Sequence, residues 1–148
     1  VVSEFKCPFV ITHSRGDSIN MNNLTNYVDF LVDITQTLEQ LTTKAINKNV
    51  SKDKIIWDPG IGFSKDTNQN IEILRNIDLL KKFEFPLLIG ASRKRFIGEI
   101  LNEPYPKERD IGSLAISCLC SQQNIHLVRV HNVKMNYQVL KVADQIFR

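Results

Sequence analysis

The sequence predicts a parallel α/β fold of four strand-helix units, either half of an eight-stranded barrel or a small open sheet with helices on both faces. Two observations carry this. Four short apolar runs rich in branched residues recur along the chain, and a segment with helical spacing of its apolar residues follows each. Each run also ends in polar residues: Thr12-His13-Ser14-Arg15-Gly16, Asp58-Pro59-Gly60, Gly90-Ala91-Ser92-Arg93-Lys94 and Arg129-Val130-His131-Asn132. Parallel α/β enzymes build their sites at the carboxyl ends of strands, so these ends predict one shared rim.

Taken in order, Phe9 to Thr12 is the first strand, bounded by Pro8 and by Arg15-Gly16-Asp17. From Asn22 to Lys48, Leu24, Val28, Leu31, Ile34, Leu38, Leu41 and Ala45 make one helical stripe. Ser51 to Lys54 turns into the second strand, Ile55 to Trp57. The next helix runs from about Thr67 to Lys82, with Ile71, Leu74, Ile77 and Leu80 inward and Asp66 or Thr67 as N-cap. Pro86 opens a third strand, Leu87 to Ala91. A short helix through Phe96, Ile97 and Leu101 follows, then a loop with Pro104 and Pro106, then a helical piece from about Asp110 to Gln122. Leu127 to Val130 is the fourth strand, and a closing helix from roughly Lys134 to Phe147 turns Tyr137, Leu140 and Ile146 inward.

Composition narrows the function classes. A chain of 148 residues with 43% hydrophobic content can bury a core, and one domain or part of one is expected. The net charge of +3 is too small, and the basic residues too dispersed, for nucleic acid, whereas a locally basic site for a small anion suits them. No apolar run reaches the roughly 20 residues of a membrane span. The three cysteines lack the paired spacing of a zinc site and read as buried structural thiols in a reducing, intracellular setting, cytoplasmic or organellar. The chain opens at Val1 with helical character and no leading strand, which favours a portion of a longer polypeptide.

Four motifs in register carry a resemblance. Asp58-Pro59-Gly60-Ile61-Gly62-Phe63 with Lys65, Gly90-Ala91-Ser92-Arg93-Lys94 with Phe96-Ile97-Gly98, Glu108-Arg109 before Gly112-Ser113, and Arg129-Val130-His131 resemble dihydropteroate synthase in order and spacing. His13-Ser14-Arg15-Gly16 is similar to that family's His-Met-Arg-Gly at the end of its fifth strand. The resemblance covers nearly the whole chain. It implies the C-terminal half of a TIM (β/α)8 barrel, strands five to eight, with residues 1–148 as a partial pterin-binding domain whose N-terminal half is missing.

The implied activity is a transferase step of folate biosynthesis, the target of sulfonamides. It condenses 6-hydroxymethyl-7,8-dihydropterin pyrophosphate with p-aminobenzoate and releases pyrophosphate with the help of Mg²⁺, held mainly through the missing half and the pyrophosphate. The resemblance further implies a homodimer when complete, with contacts around Leu114 to Leu119 and Lys134 to Phe147, and allows fusion to a pterin pyrophosphokinase domain. This chain alone is expected to be inactive. A methyltetrahydrofolate-dependent methyltransferase barrel and a non-catalytic α/β module are the alternatives.

The implied ligands assign roles. Asp58 matches the adjacent ring N–H and amino donors of a pterin with its two oxygens, although an isolated Asp-Pro-Gly more often caps a turn. Lys94, past a strand ending in Gly90, reaches pterin acceptors and lies beside the aminobenzoate; Asp58 and Lys94 are the catalytic candidates. Ser92 with the N–H groups of the following helix suits a carboxylate, and Phe63 packs on the aminobenzoate ring. Arg129 and His131 alternate to the same face and suit pyrophosphate. No residue is assigned to a metal, His126 reads as structural, and Arg93 and Arg95 are weaker candidates. Three positions depart from the family: Asn132 replaces Asp, Ser14 an apolar residue and Ile61 a frequent aromatic.

Overall fold

Strand pairing decides between the two architectures that the sequence leaves open. The computed structural model describes residues 1–17 and 19–148. Its elements are α1 (Val2–Phe5), β1 (Phe9–Thr12), α2 (Phe30–Ile46), β2 (Ile55–Asp58), α3 (Thr67–Arg75), α4 (Ile77–Lys81), β3 (Leu88–Ile89), α5 (Arg95–Leu101), α6 (Asp110–Gln122), β4 (Leu127–Val128) and α7 (Val133–Phe147). Strand β1 runs parallel to β2 with Ile11 opposite Trp57 and Thr12 opposite Asp58. Strand β3 runs parallel to β4 with Leu88 opposite Leu127. A parallel bridge from Trp57 to Leu87 joins the two pairs.

The spatial order is therefore sequential. Successive right-handed crossovers between adjacent parallel strands fall on one face of the sheet, whereas a doubly wound sheet needs a reversal of strand order. This is a barrel segment, with helices outside and the other face turned toward a barrel interior.

Alternation along the strands puts Ile11, Ile55, Trp57, Leu87 and Ile89 on the helix side, where all are buried. Trp57 anchors that layer. Its ring stacks on Phe85 at 4.8 Å, and its indole N–H donates to Thr42 of α2 at 2.8 Å. The inner face carries Val10, Thr12, Ile56, Asp58, Leu88 and Leu127, and there Val10 and Leu127 remain exposed. The β1 edge opens onto an apolar groove of about 570 Å³ lined by Val2, Phe9, Ile11 and Leu41.

Several boundaries differ from expectation for identifiable reasons. Helix α2 begins after Asp29, whose carboxylate accepts from Val32 N–H at 3.2 Å, so Leu24 and Val28 fit the stripe by spacing alone and lie outside the helix. The single helix expected from Thr67 breaks at Asn76, where the φ of −114° is not helical and the side chain donates to the Glu72 carbonyl. Its N-cap is Asp66, in a reciprocal capping box with Gln69. In α7 the face packed on α6 is polar: Ser117 donates to Asn136 and Ser121 to Asp144, and Tyr137 and Ile146 point outward, not inward. Strands β3 and β4 are shorter than their apolar runs. Among the cysteines, Cys120 is buried and its thiol is pushed up to about 12, but Cys7 is exposed.

Candidate functional site

Asp58 closes β2 on the inner face and is 1% exposed. Its Oδ1 accepts the Gly60 N–H at 2.8 Å, its Oδ2 faces the Thr12 hydroxyl at 3.5 Å, and Arg129 Nη2 lies 3.6 Å from that oxygen. Burial raises the Asp58 carboxyl above its ordinary range, partly offset by the Gly60 N–H and by the charges of Arg129, Lys65 and Lys94. An ionised carboxylate accepts about four hydrogen bonds, so Asp58 keeps capacity for an incoming pair of donors. The turn after it requires glycine: Gly60 has φ +70°, and a Cβ there would sit 1.9 Å from the His13 carbonyl oxygen.

Beneath this turn lies a polar network that the sequence reading did not find. Lys65 is 4% exposed, and its ammonium donates to the carbonyls of Gly60 (3.1 Å) and Phe63 (2.9 Å) and meets His13 Nδ1 at 2.8 Å. His13 Nε2 faces Asp33 Oδ1 at 3.3 Å, and Arg15 holds the other oxygen of Asp33 at 2.5 Å. The Ser64 hydroxyl donates to the Arg15 carbonyl and accepts from its N–H, while Tyr27 donates to the Ser64 carbonyl. Burial lowers the His13 pKa to about 4 and that of Lys65 to about 7; the Lys65 charge adds to the first shift, and Asp58 and Asp33 oppose the second. Lys65 and His13 stand 52 positions apart, so no local pattern marks their pairing.

The β3 and β4 ends supply the remaining candidates. Gly90 leaves room for Arg129, since a Cβ there would come within 2.7 Å of its guanidinium. Lys94 is the N-cap of α5, with Nζ 3.9 Å above the centre of the half-buried Phe63 ring. Burial, and then the Arg129 charge, lowers the Lys94 pKa. Ser92 is buried three positions before α5, and its hydroxyl accepts the His131 backbone N–H at 3.2 Å and meets His131 Nδ1 at 3.0 Å. The Ser92 hydroxyl is thus engaged with the β4 end.

Asp58, Phe63, Gly90, Lys94 and Arg129 converge on one rim. Ser92 and His131 pair beside it, on an open cleft of about 760 Å³ shared with Lys94, Tyr105 and Glu108. The weaker candidates have structural partners: Arg93 holds Asp110 through two bonds of 2.7 and 2.9 Å, and exposed Arg95 pairs with Glu99 one turn on. His126 accepts the Leu87 N–H at 3.2 Å, a purely structural bond. Of the departures from the family pattern, Asn132 caps α7 through Met135 N–H and reaches Asp110, Ile61 is buried in the core, and Ser14 is exposed. No cluster of three or more His, Cys, Asp or Glu able to hold a metal occurs among the described residues. Nor is any described helix long and apolar enough to cross a membrane.

This arrangement can accept planar donors at Asp58, stack an aromatic ring on Phe63 and attract an anion to Arg129. The model of the pterin binding enzyme family matches residues 1–131. A dihydropteroate synthase of Synechocystis is 43% identical over 148 residues, covering 100% of this chain and 51% of that relative. A Yersinia pestis dihydropteroate synthase, solved with a sulfonamide drug complex, superimposes with a TM-score of 0.93 at 31% identity over 97% of this chain and 52% of its own. A Clostridium difficile dihydropteroate synthase, solved in the presence of pteroic acid, gives 0.89 at 34% identity over 99% of this chain and 53% of its own. The chain spans about half the length of each of these proteins. With its sequential half-barrel and its polar strand ends, the chain belongs to the pterin-binding enzyme family.

Proposed function

We propose that this chain supplies strands five to eight of a dihydropteroate synthase, a folate-pathway transferase joining 6-hydroxymethyl-7,8-dihydropterin pyrophosphate to p-aminobenzoate. The observation that carries the reading is Asp58, buried at a strand end with free acceptor capacity and flanked by Arg129, Lys94 and Phe63. The aniline nitrogen attacks the pterin methylene carbon as the carbon–oxygen bond to pyrophosphate breaks. Pyrophosphate leaves with the bonding electrons, and the nitrogen sheds a proton to water.

Each residue has a task in that step. Asp58 accepts the ring N–H and amino group of the pterin, fixing the electrophilic carbon. Lys94 donates to pterin acceptors while its charge rests on the Phe63 ring, against which the aminobenzoate packs. Arg129 and His131 meet the negative charge that builds on pyrophosphate, and hydrogen-bond donors placed where charge develops lower a barrier effectively. Ser92 orients His131. Mg²⁺ would neutralise pyrophosphate charge, held by the pyrophosphate oxygens and by residues of the other half-barrel.

The exposed inner-face residues Val10 and Leu127 and the groove on the β1 edge are where that other half would pack. The outward faces of α6 and α7, including Ile111, Tyr137 and Ile146, suit a second copy in the complete enzyme. Amplifying the whole transcript shows whether an upstream half and a fused pyrophosphokinase domain share the polypeptide. Product formation from the two substrates then tests the reading: the complete barrel is expected to yield dihydropteroate and pyrophosphate, and residues 1–148 alone none. A complete barrel that binds pterin but makes no dihydropteroate refutes it.

A further inference from the structure

We infer that Lys65 is a positioning residue of the site, its ammonium fixing where Asp58 and the Phe63 ring stand without itself touching substrate. The inference rests on the proposed synthase reading. Its grounds are geometric. Gly60, Gly62 and Ser64 all have positive φ, so the segment from Asp58 to Lys65 coils tightly and turns the carbonyls of Gly60 and Phe63 inward. Both converge on Lys65 Nζ. The third partner, His13 Nδ1, completes the donor capacity of an ammonium.

Asp33 settles which group donates to which. Its carboxylate faces His13 Nε2, so the imidazole proton resides on Nε2 and Nδ1 is left as an acceptor. A neutral amine has two N–H donors for these three partners, so its lone pair would face a carbonyl oxygen or else accept a hydrogen bond from Nδ1–H, which would leave a bare Nε2 lone pair against the Asp33 carboxylate. The arrangement therefore selects the charged lysine. Burial opposes that charge, as do Arg15 and Lys94 to a smaller extent, and Asp58 and Asp33 offset part of it.

The consequences for the site run through backbone. The Gly60 carbonyl held by Lys65 belongs to the residue whose N–H binds Asp58 Oδ1. The Phe63 carbonyl held by Lys65 belongs to the residue whose ring lies under Lys94. Asn70 adds a further tie, accepting the Gly62 N–H at 2.7 Å. Lys65→Met keeps most of the length of the side chain and removes every donor, leaving the Phe63 carbonyl and the imidazole nitrogen without partners and the Gly60 carbonyl with the Phe63 N–H alone.

The test uses the complete barrel, with 6-hydroxymethylpterin affinity by calorimetry, the p-aminobenzoate KM, kcat and amide hydrogen exchange over residues 60–65. Lys65→Met is expected to weaken pterin binding and raise the KM by roughly tenfold or more each, since small misplacements of binding groups cost that much. Exchange at residues 60–65 quickens, kcat at saturation falls less, and Lys65→Arg restores much of the loss. A folded Lys65→Met with unsubstituted affinity and KM overturns the inference. Should that variant not fold, Lys65→Gln decides: it keeps a donor but is too short to reach both carbonyls, and unchanged pterin affinity and KM there sink the proposal. If the unsubstituted barrel makes no dihydropteroate, the synthase reading fails, while hydrogen exchange over residues 60–65 still decides whether the loop depends on Lys65.

Discussion

The two ends of the site are built in opposite ways. At the β1 and β2 end, Asp58, His13 and Lys65 are almost wholly buried, and each has hydrogen-bond partners within the protein. At the β3 and β4 end, Arg129 is 58% exposed and its nearest carboxylate oxygen is 3.6 Å away. The difference follows the chemistry proposed for each. Reading the edge of a flat heterocycle needs an acceptor fixed in advance, whereas a diphosphate arrives hydrated and is met by a cation that keeps its own water until then.

Substitutions break the comparison unequally. Asp58→Asn turns one acceptor oxygen into a donor aimed at pterin donors; pterin affinity and kcat/KM are expected to fall by about 10²-fold or more. The same change relieves the buried charge, so a thermal melt of the variant should hold or rise even as activity collapses. Arg129→Lys keeps the charge and loses the planar fork, and it is expected to cost about tenfold in kcat/KM for the diphosphate substrate. Added salt is expected to weaken binding of the diphosphate substrate in both proteins, because the cation at this position is exposed.

A pH series sharpens the contrast from the buried side. His13 titrates near 4 in the folded protein and near 6.5 when unfolded. Between those values the unfolded chain binds the extra proton, so stability falls as pH drops through that window, by up to about 3 kcal/mol in full. Denaturant melts at pH 6.5 and pH 4 check this, and His13→Asn should flatten that part of the curve. The smallest effect is expected for Ser92→Ala, which frees the His131 ring without removing it: a loss of roughly threefold in kcat/KM, the value of about one neutral hydrogen bond.

Legibility in the sequence divided along similar lines. The strands and most helices could be read because burial on the helix side imposes apolar runs and regular spacing, as in Ile55 and Trp57 or Ile34 and Leu38. Asp58, Gly90, Lys94 and Arg129 could be read because they sit at the ends of those runs. The face of α7 could not, since it packs through Asn136 and Asp144 on serines of α6, and periodicity arguments look for apolar residues. Leu24 and Val28 misled for the converse reason, fitting a helical stripe outside a helix. Lys65 and His13 were hidden because burying a lysine depends on carbonyls and an imidazole supplied by distant or irregular segments. Only the fold reveals that pairing.

The most direct measurement compares 6-hydroxymethylpterin with its pyrophosphate ester as ligands of the complete barrel, by calorimetry, in the unsubstituted protein, Asp58→Asn and Arg129→Ala. The account expects Asp58→Asn to lose both ligands and Arg129→Ala to lose only the affinity that pyrophosphate adds. Equal losses of both ligands in Arg129→Ala, or pterin binding that survives in Asp58→Asn, would contradict the division of labour between the two ends.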